Sequence, residues 1–255
     1  MRVIVTRPAA QAADWVAKLR GHGIDALALP LIGIGPMADP EPLRAAWHGL
    51  SSQRLVFFVS PNAAEQFFAQ RPAGAAWPAS VLAGSPGPGT TRVLAGLGVP
   101  VAQTIEPAED ARQFDSEAVW ERLRPLEWQG ANVLIVRGDG GRDWLAQTLR
   151  EAGAQVGYVM AYRRLPPVLD AQACGLLRLA LAHSADHLWF FSSSEAIDNL
   201  ATCAQLPKEA DWRRAQAIAT HARIAERARQ WGFARVTEVR PSLEAVLACI
   251  QSMEP

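Results

Sequence analysis

The sequence predicts an α/β protein built from parallel sheets, and three observations carry that reading. Short apolar runs alternate with amphipathic segments of helical length along the 255 residues, which is the pattern of βαβ units. Runs such as "RLVFFV" (54–59) and "HLWFF" (187–191) are apolar without alternation, as in strands covered by helices on both faces. The chain also repeats itself. Arg7 maps to Arg137 and Gly23 to Gly153, each 130 residues on, and "FFVSPNAAEQFF" (57–68) maps to "FFSSSEAIDNL" (190–200) at an offset of 133. A period this long indicates duplication of one α/β domain and is too long for a solenoid.

The elements follow in order. "RVIVT" (2–6) is a strand, "PAAQAADWVAKLRGHG" (8–23) a helix closed by Gly, and "IDALALPLIGIG" (24–35) extended. "PEPLRAAWHGL" (40–50) is a helix with Pro near its start, "RLVFFV" a strand, and a further helix runs from Pro61. "SVLAG" (80–84) is a strand, followed by a Gly/Pro turn and a helix over about 90–97. "ANVLIV" (131–136) is a strand, "RDWLAQTLREAG" (142–153) a helix and "AQVGYVMAY" (154–162) a strand. "HLWFF", "AQAIAT" (215–220) and "ARVTEV" (234–239) are later strands with helices between and after them. Each helix carries one apolar stripe.

Two domain divisions fit the repeat. One cut falls near Gly130. In the other, the Pro-punctuated stretches "LPLIGIGP" (29–36) and "AYRRLPP" (161–167) are crossovers. The first domain is then discontinuous, about 1–34 plus 168–255, and the second is about 38–163.

Composition excludes several classes. Formal net charge is zero, with 25 basic and 25 acidic residues, which argues against nucleic acid as the main partner. Lys18 and Lys208 are the only lysines, so 23 of the basic residues are arginines, the side chain suited to bidentate carboxylate recognition. No apolar run approaches the roughly 18 residues needed to span a bilayer, and no signal-peptide pattern precedes "RVIVT". Cys174, Cys203 and Cys249 are scattered and odd in number, which reads as reduced residues of a cytoplasmic protein. "GSPGPG" (84–89) and "GDGGR" (138–142) match neither dinucleotide nor P-loop fingerprints. His183 and His187 lack a third ligand, so no metal site is expected. Ser60 has no nucleophile elbow. No apolar stripe calls for an obligate oligomer, so a monomer is expected.

Candidate ligand contacts lie where strands break into helices. A Ser or Thr at a helix start, with free backbone N–H groups behind it, is an anion site. Ser60, Pro61 and Asn62 form one, with Ser at the N-cap and Pro at the first helical position. Ser192, Ser193 and Ser194 form a second. Gly87, Gly89 and Thr90 form a third, where missing side chains let a ligand approach. Arg7, Arg137, Gly138 and His221 stand at other strand ends. Each also has an ordinary reading: a cap, a tight turn, or an ion pair with a neighbour such as Asp139.

Taken together, these motifs resemble the uroporphyrinogen-III synthase family. The resemblance rests on Thr6-Arg7-Pro8 after the first strand, "LPLIGI", "FFVSPNAAEQF", "GPGTTRVLAGLG", "VLIVRGDGGRDWLAQTLREAGAQV", "AYRR", "FFSSSEAIDNL" and "HARIAERARQWGF". It covers nearly the whole chain in order. It implies two flavodoxin-like domains joined by a two-stranded linker, which favours the discontinuous division with linker strands at about 31–37 and 161–167. It implies no cofactor and no metal. The implied reaction closes hydroxymethylbilane, a linear tetrapyrrole, to uroporphyrinogen III with its last ring inverted, the substrate being held in the cleft between the domains. Tyr162 stands where the family keeps a tyrosine facing that cleft, and it is the implied acid for the departing hydroxyl. The stretch at His221 departs from the Gly/Thr pattern at 87–90, so the threonine of one domain has no counterpart in the other. Two other readings of the residues are a non-catalytic two-domain anion-binding protein and a flavodoxin-type cofactor protein.

Overall fold

The computed structural model describes residues 1–203 and 212–253. Its elements, in chain order, begin β1 (Arg2–Val5), α1 (Ala9–Gly21), β2 (Ala26–Ala28), β3 (Gly33–Pro36), α2 (Glu41–His48), β4 (Leu55–Phe58) and α3 (Pro61–Phe68). They continue with β5 (Leu82–Gly84), α4 (Pro88–Gly96), β6 (Thr104–Ile105), α5 (Ser116–Leu123), β7 (Asn132–Gly138), α6 (Trp144–Glu151) and β8 (Gln155–Leu165). The last are α7 (Ala171–Ala182), β9 (His187–Phe191), α8 (Ser194–Asp198), β10 (Gln216–Ala219), α9 (Ala222–Trp231), β11 (Arg235–Glu238) and α10 (Leu243–Met253).

These elements form two compact units, Met1–Gly33 with Leu165–Pro255, and Ile34–Arg164. The first holds a sheet ordered β11-β10-β9-β1-β2, and the second a sheet ordered β3-β8-β7-β4-β5-β6. The pairings β1–β2, β1–β9, β9–β10, β10–β11, β4–β5, β4–β7, β5–β6 and β7–β8 are all parallel. The chain is therefore an α/β protein with two parallel sheets. Without β3, the second sheet repeats the first, with β8-β7-β4-β5-β6 standing for β2-β1-β9-β10-β11. Each sheet thus takes two strands from one sequence repeat and three from the other. The strand order is the doubly wound 2-1-3-4-5 arrangement.

Burial explains the apolar strands. Every residue of β4 and of β9 is buried, because helices cover both faces of each sheet. In the second unit one face packs Phe58, Phe67, Trp77, Val136 and Tyr162, and the other packs Phe57, Trp128, Ile135 and Leu149. In the first unit α1 buries Ala12, Trp15, Val16 and Leu19, one stripe at helical spacing. The repeat also marks helix ends. Gly23 and Gly153 have φ of 78° and 96°, and Gly98 and Gly232 have 96° and 114°, the left-handed region that closes helices without a Cβ penalty.

The structure differs from the sequence reading at several boundaries. The extended stretch 24–35 splits into β2 and β3, which belong to different sheets. The helix expected over about 90–97 starts at Pro88, with Gly87 at its N-cap. The helix expected from Arg142 starts at Trp144, because the glycine-rich run ahead of it is loop. Helix α5 and the two-residue β6 have no counterpart in the sequence reading, since neither has a long apolar run.

Candidate functional site

In an open parallel sheet, the first and third strands of the winding leave a crevice at their carboxyl ends, where the connections run to opposite faces. In the second unit those strands are β7 and β4, and in the first they are β1 and β9. Arg137 and Gly138 end β7, and Ser60 follows β4. Arg7 lies just past β1, and Ser192–Ser194 lie just past β9.

The second unit brings Ser60, Gly138 and Tyr162 together. Ser60 caps α3, its Oγ accepting the Ala63 N–H at 3.2 Å, and Pro61 takes the first helical position. The same Oγ lies 3.1 Å from the Tyr162 hydroxyl. Tyr162 is only 1% exposed, and Ser60 beside it is half-buried. Gly138 makes this possible. A Cβ there would lie 2.8 Å from two carbons of the Tyr162 ring, and the β7–β8 register shifts at Arg137/Gly138. Asn62, in the first turn of α3, is buried.

Arg137 is held by its own loop. Its Nη1 donates to Asp143 Oδ1 at 2.5 Å, its Nη2 donates to Gly141 O at 2.9 Å, and it lies 5.3 Å from the centre of the Tyr158 ring. The hydrogen bond from Arg137 holds the Asp143 carboxyl below its usual pKa. The pairing is with Asp143, whereas Asp139, the neighbour weighed from sequence, accepts the Arg164 N–H. A pocket of about 370 Å³ opens beside Arg137, Gly138, Asp139, Tyr158 and Met160.

At the third helix start the close approach falls on Gly87. A Cβ there would lie 2.9 Å from Phe114 Cβ, whereas one at Gly89 would meet nothing within 4 Å. Thr90 is buried at the third position of α4. A hydroxyl chain runs beside it: Ser85 Oγ is 2.7 Å from Thr91 Oγ1, which donates to Glu106 Oε2 at 2.7 Å. Ser85, Thr91, Asp143 and Tyr158 received no role from the sequence. A hydroxyl six residues from another, and an acid six residues after an arginine, are signals only once the turn geometry is known.

The first unit holds the remaining candidates. Ser193 is the N-cap of α8, yet its side chain makes no cap hydrogen bond, and α8 is only five residues long. Ser192 and Ser194, beside it, are half-buried. His221 caps α9, with Nδ1 accepting the Arg223 N–H at 3.1 Å. Arg7 lies over Trp15 and Phe190, 5.3 and 5.9 Å from the ring centres. Its Nε is fully buried without a partner, and burial pulls its pKa down to about 10. No three His, Cys, Asp or Glu side chains cluster in metal-binding fashion among the described residues. No helix among them is long and apolar enough to cross a membrane.

Comparison with known proteins gives consistent matches. A family model described as uroporphyrinogen-III synthase HemD matches residues 13–248. A Salmonella typhimurium protein named uroporphyrinogen-III synthase is 29% identical over 168 residues, covering 64% of this chain and 65% of that protein. One from Proteus mirabilis is 28% identical over 166 residues, covering 65% and 81%. The match thus spans just under two thirds of the Salmonella protein's length. Two solved structures share the fold. The uroporphyrinogen-III synthetase of Helicobacter pylori has a TM-score of 0.59 at 16% identity, covering 100% of both chains. A mutant uroporphyrinogen III synthase from Thermus thermophilus has a TM-score of 0.55 at 22% identity, covering 99% and 98%.

Proposed function

The chain belongs to the uroporphyrinogen-III synthase family, and on that premise we propose that it cyclises hydroxymethylbilane with inversion of ring D, a step of tetrapyrrole and haem biosynthesis. The reading takes the two compact units as the family's two domains, 1–34 plus 168–255 and 38–163. It needs no cofactor, because the substrate's own pyrrole expels the hydroxyl. The departing hydroxyl takes up a proton and leaves as water. The resulting methylene carbon is attacked by the substituted carbon of ring D, giving a spiro intermediate. Fragmentation and reclosure leave ring D reversed, and the proton lost as the last pyrrole regains aromaticity balances the one taken up.

The observation that carries the reading is the Ser60–Tyr162 hydroxyl pair at 3.1 Å. Tyr162 is buried, so its proton reaches a ligand through Ser60: the phenol donates to Ser60 Oγ, and the serine O–H points on to the departing hydroxyl. Partial donation suffices where the pyrrole already drives the departure. Most of the remaining work is positioning, worth up to about 7–11 kcal/mol in the best cases. Within the second unit, the starts of α3 and α4 offer backbone N–H groups to the substrate's carboxylates.

The test supplies hydroxymethylbilane and identifies the isomer formed. Uroporphyrinogen III above the spontaneous rate supports the reading, and type I product alone at the uncatalysed rate ends it. Tyr162→Phe should lower kcat by about 10²-fold with a smaller change in KM. Unchanged turnover would remove the proton-donor role.

A further inference from the structure

The two arginines at equivalent strand ends are in opposite electrostatic states. Arg137 has an internal carboxylate, Asp143, which stands at the N-cap of α6. The unit therefore supplies its own anion where the arginine meets the helix start. Arg7 has none among the described residues. Its Nη1 reaches only Gln11 Oε1, at 3.4 Å, and its Nε is a buried donor with no acceptor. Asp14, whose charge favours the guanidinium, is bonded to Lys18 at 2.5 Å. The helix that follows, α1, is 13 residues long, has Pro8 at its N-cap with no side-chain cap, and has no acid in its first turn. A desolvated guanidinium beside an uncapped helix start thus lacks a counter-ion among the described residues of its own unit.

We propose that Arg7 and the start of α1 form a carboxylate subsite, in which one carboxylate of the ligand takes the place that Asp143 fills beside Arg137. The guanidinium fork offers the carboxylate paired donors, and the first-turn N–H groups of α1 add the favourable end of the helix dipole. The aromatic faces of Trp15 and Phe190 hold the fork in place, so little side-chain entropy is lost on binding. Arg137 is left as the residue that orders its loop. The subsite rests on the proposed function for the identity of the carboxylate's bearer, not for its chemistry.

The experiment measures KM for hydroxymethylbilane and, separately, the Kd of uroporphyrin III, an octacarboxylate, for the unaltered protein and for R7Q, R7K and R2Q. Arg2 is a surface arginine paired with Asp25, so R2Q controls for loss of one positive charge. R7Q should raise both constants about 10- to 100-fold, with kcat changed far less, and R7K should recover part of the loss. The salt dependence of the uroporphyrin Kd should become shallower for R7Q only. If R7Q does not fold, R7K still decides, because a point charge in place of the fork should weaken Kd several-fold. R7Q or R7K binding uroporphyrin as tightly as R2Q would overturn the subsite. An unaltered protein that binds uroporphyrin through Arg7 yet forms no uroporphyrinogen III would keep the subsite and remove the reaction.

Discussion

Replacing Gly138 by alanine probes the Ser60–Tyr162 pair without touching either residue. The new Cβ would sit 2.8 Å from two ring carbons of Tyr162 and 3.2 Å from its oxygen. Ordinary carbon contacts are about 3.5–4.0 Å, so something must yield by roughly 0.7 Å. The ring has nowhere to retreat, because it packs against the cluster of Phe58, Val136 and Val159 and is 1% exposed. Overpacking of this kind costs about 1–3 kcal/mol. Taking about 2 kcal/mol for a chain of this size, the thermal midpoint should fall by roughly 4–8 °C. The ring's displacement would also stretch the 3.1 Å contact to Ser60, so kcat should fall alongside stability. The assay is a thermal melt followed by circular dichroism, with Gly140→Ala as control, since a Cβ there meets nothing within 4 Å and its φ is not positive. If Gly138→Ala melts within about 1 °C of the parent and keeps full activity, the tight packing of Tyr162 over Gly138 is refuted.

Three further outcomes follow from the same geometry. Ser60→Ala removes a cap and leaves a buried phenol without its partner, costing about 2–3 kcal/mol, whereas Ser193→Ala, which loses no cap bond, should stay within about 0.5 kcal/mol; urea midpoints separate them. Asp143 has a folded pKa depressed chiefly by its hydrogen bond to Arg137, so its contribution is present above its unfolded value near about 3.9 and is lost as pH falls through the lower folded value. Asp143→Asn should therefore flatten the acid limb of stability below about pH 4, read as the ratio of urea midpoints at about pH 3 and pH 7. Arg7→Met replaces a desolvated cation that has no ion-pair partner among the described residues with an apolar chain and should raise the unfolding free energy by about 1 kcal/mol or more, read as a higher urea midpoint, while weakening uroporphyrin binding; a lower midpoint would mean that Arg7 stabilises the fold.

What was legible in the sequence was what repeats and what is buried. Runs such as "HLWFF" gave strand boundaries directly, because a strand covered on both faces leaves no alternation to misread. Helix ends at Gly23, Gly153 and Gly232 were marked by glycine, the residue that the left-handed backbone favours. The side-chain partners were not legible. Ser60 and Ser193 look alike in sequence, yet one accepts a backbone N–H and meets a phenol while the other caps nothing. The difference lies in rotamer and turn geometry, which periodicity does not encode. Tyr162 stands in an apolar-to-basic run that places it equally well on an open or a closed face, and only its packing over Gly138 decides. Arg7 and Arg137 differ through Asp143, whose position at a helix start depends on a glycine-rich loop with no periodic signal.

The exchange of strands between the repeats fixes an order of assembly. The second unit, Ile34–Arg164, is contiguous and has all its strands as soon as β8 leaves the ribosome. The first cannot close its sheet until β9 is made, because β1 pairs with a strand about 185 residues downstream, Arg2 facing His187 through Val5 facing Phe190. Bringing such distant segments together across an unfolded insert of that size costs about 5 kcal/mol in loop entropy. A folded second unit removes most of that cost, because β3 and β8, which lead the chain in and out of it, are neighbours in its sheet. The two halves of the first unit thus emerge side by side. Changes that loosen the β3–β8 pairing should therefore slow the folding of β1 onto β9, although they alter no residue of that sheet.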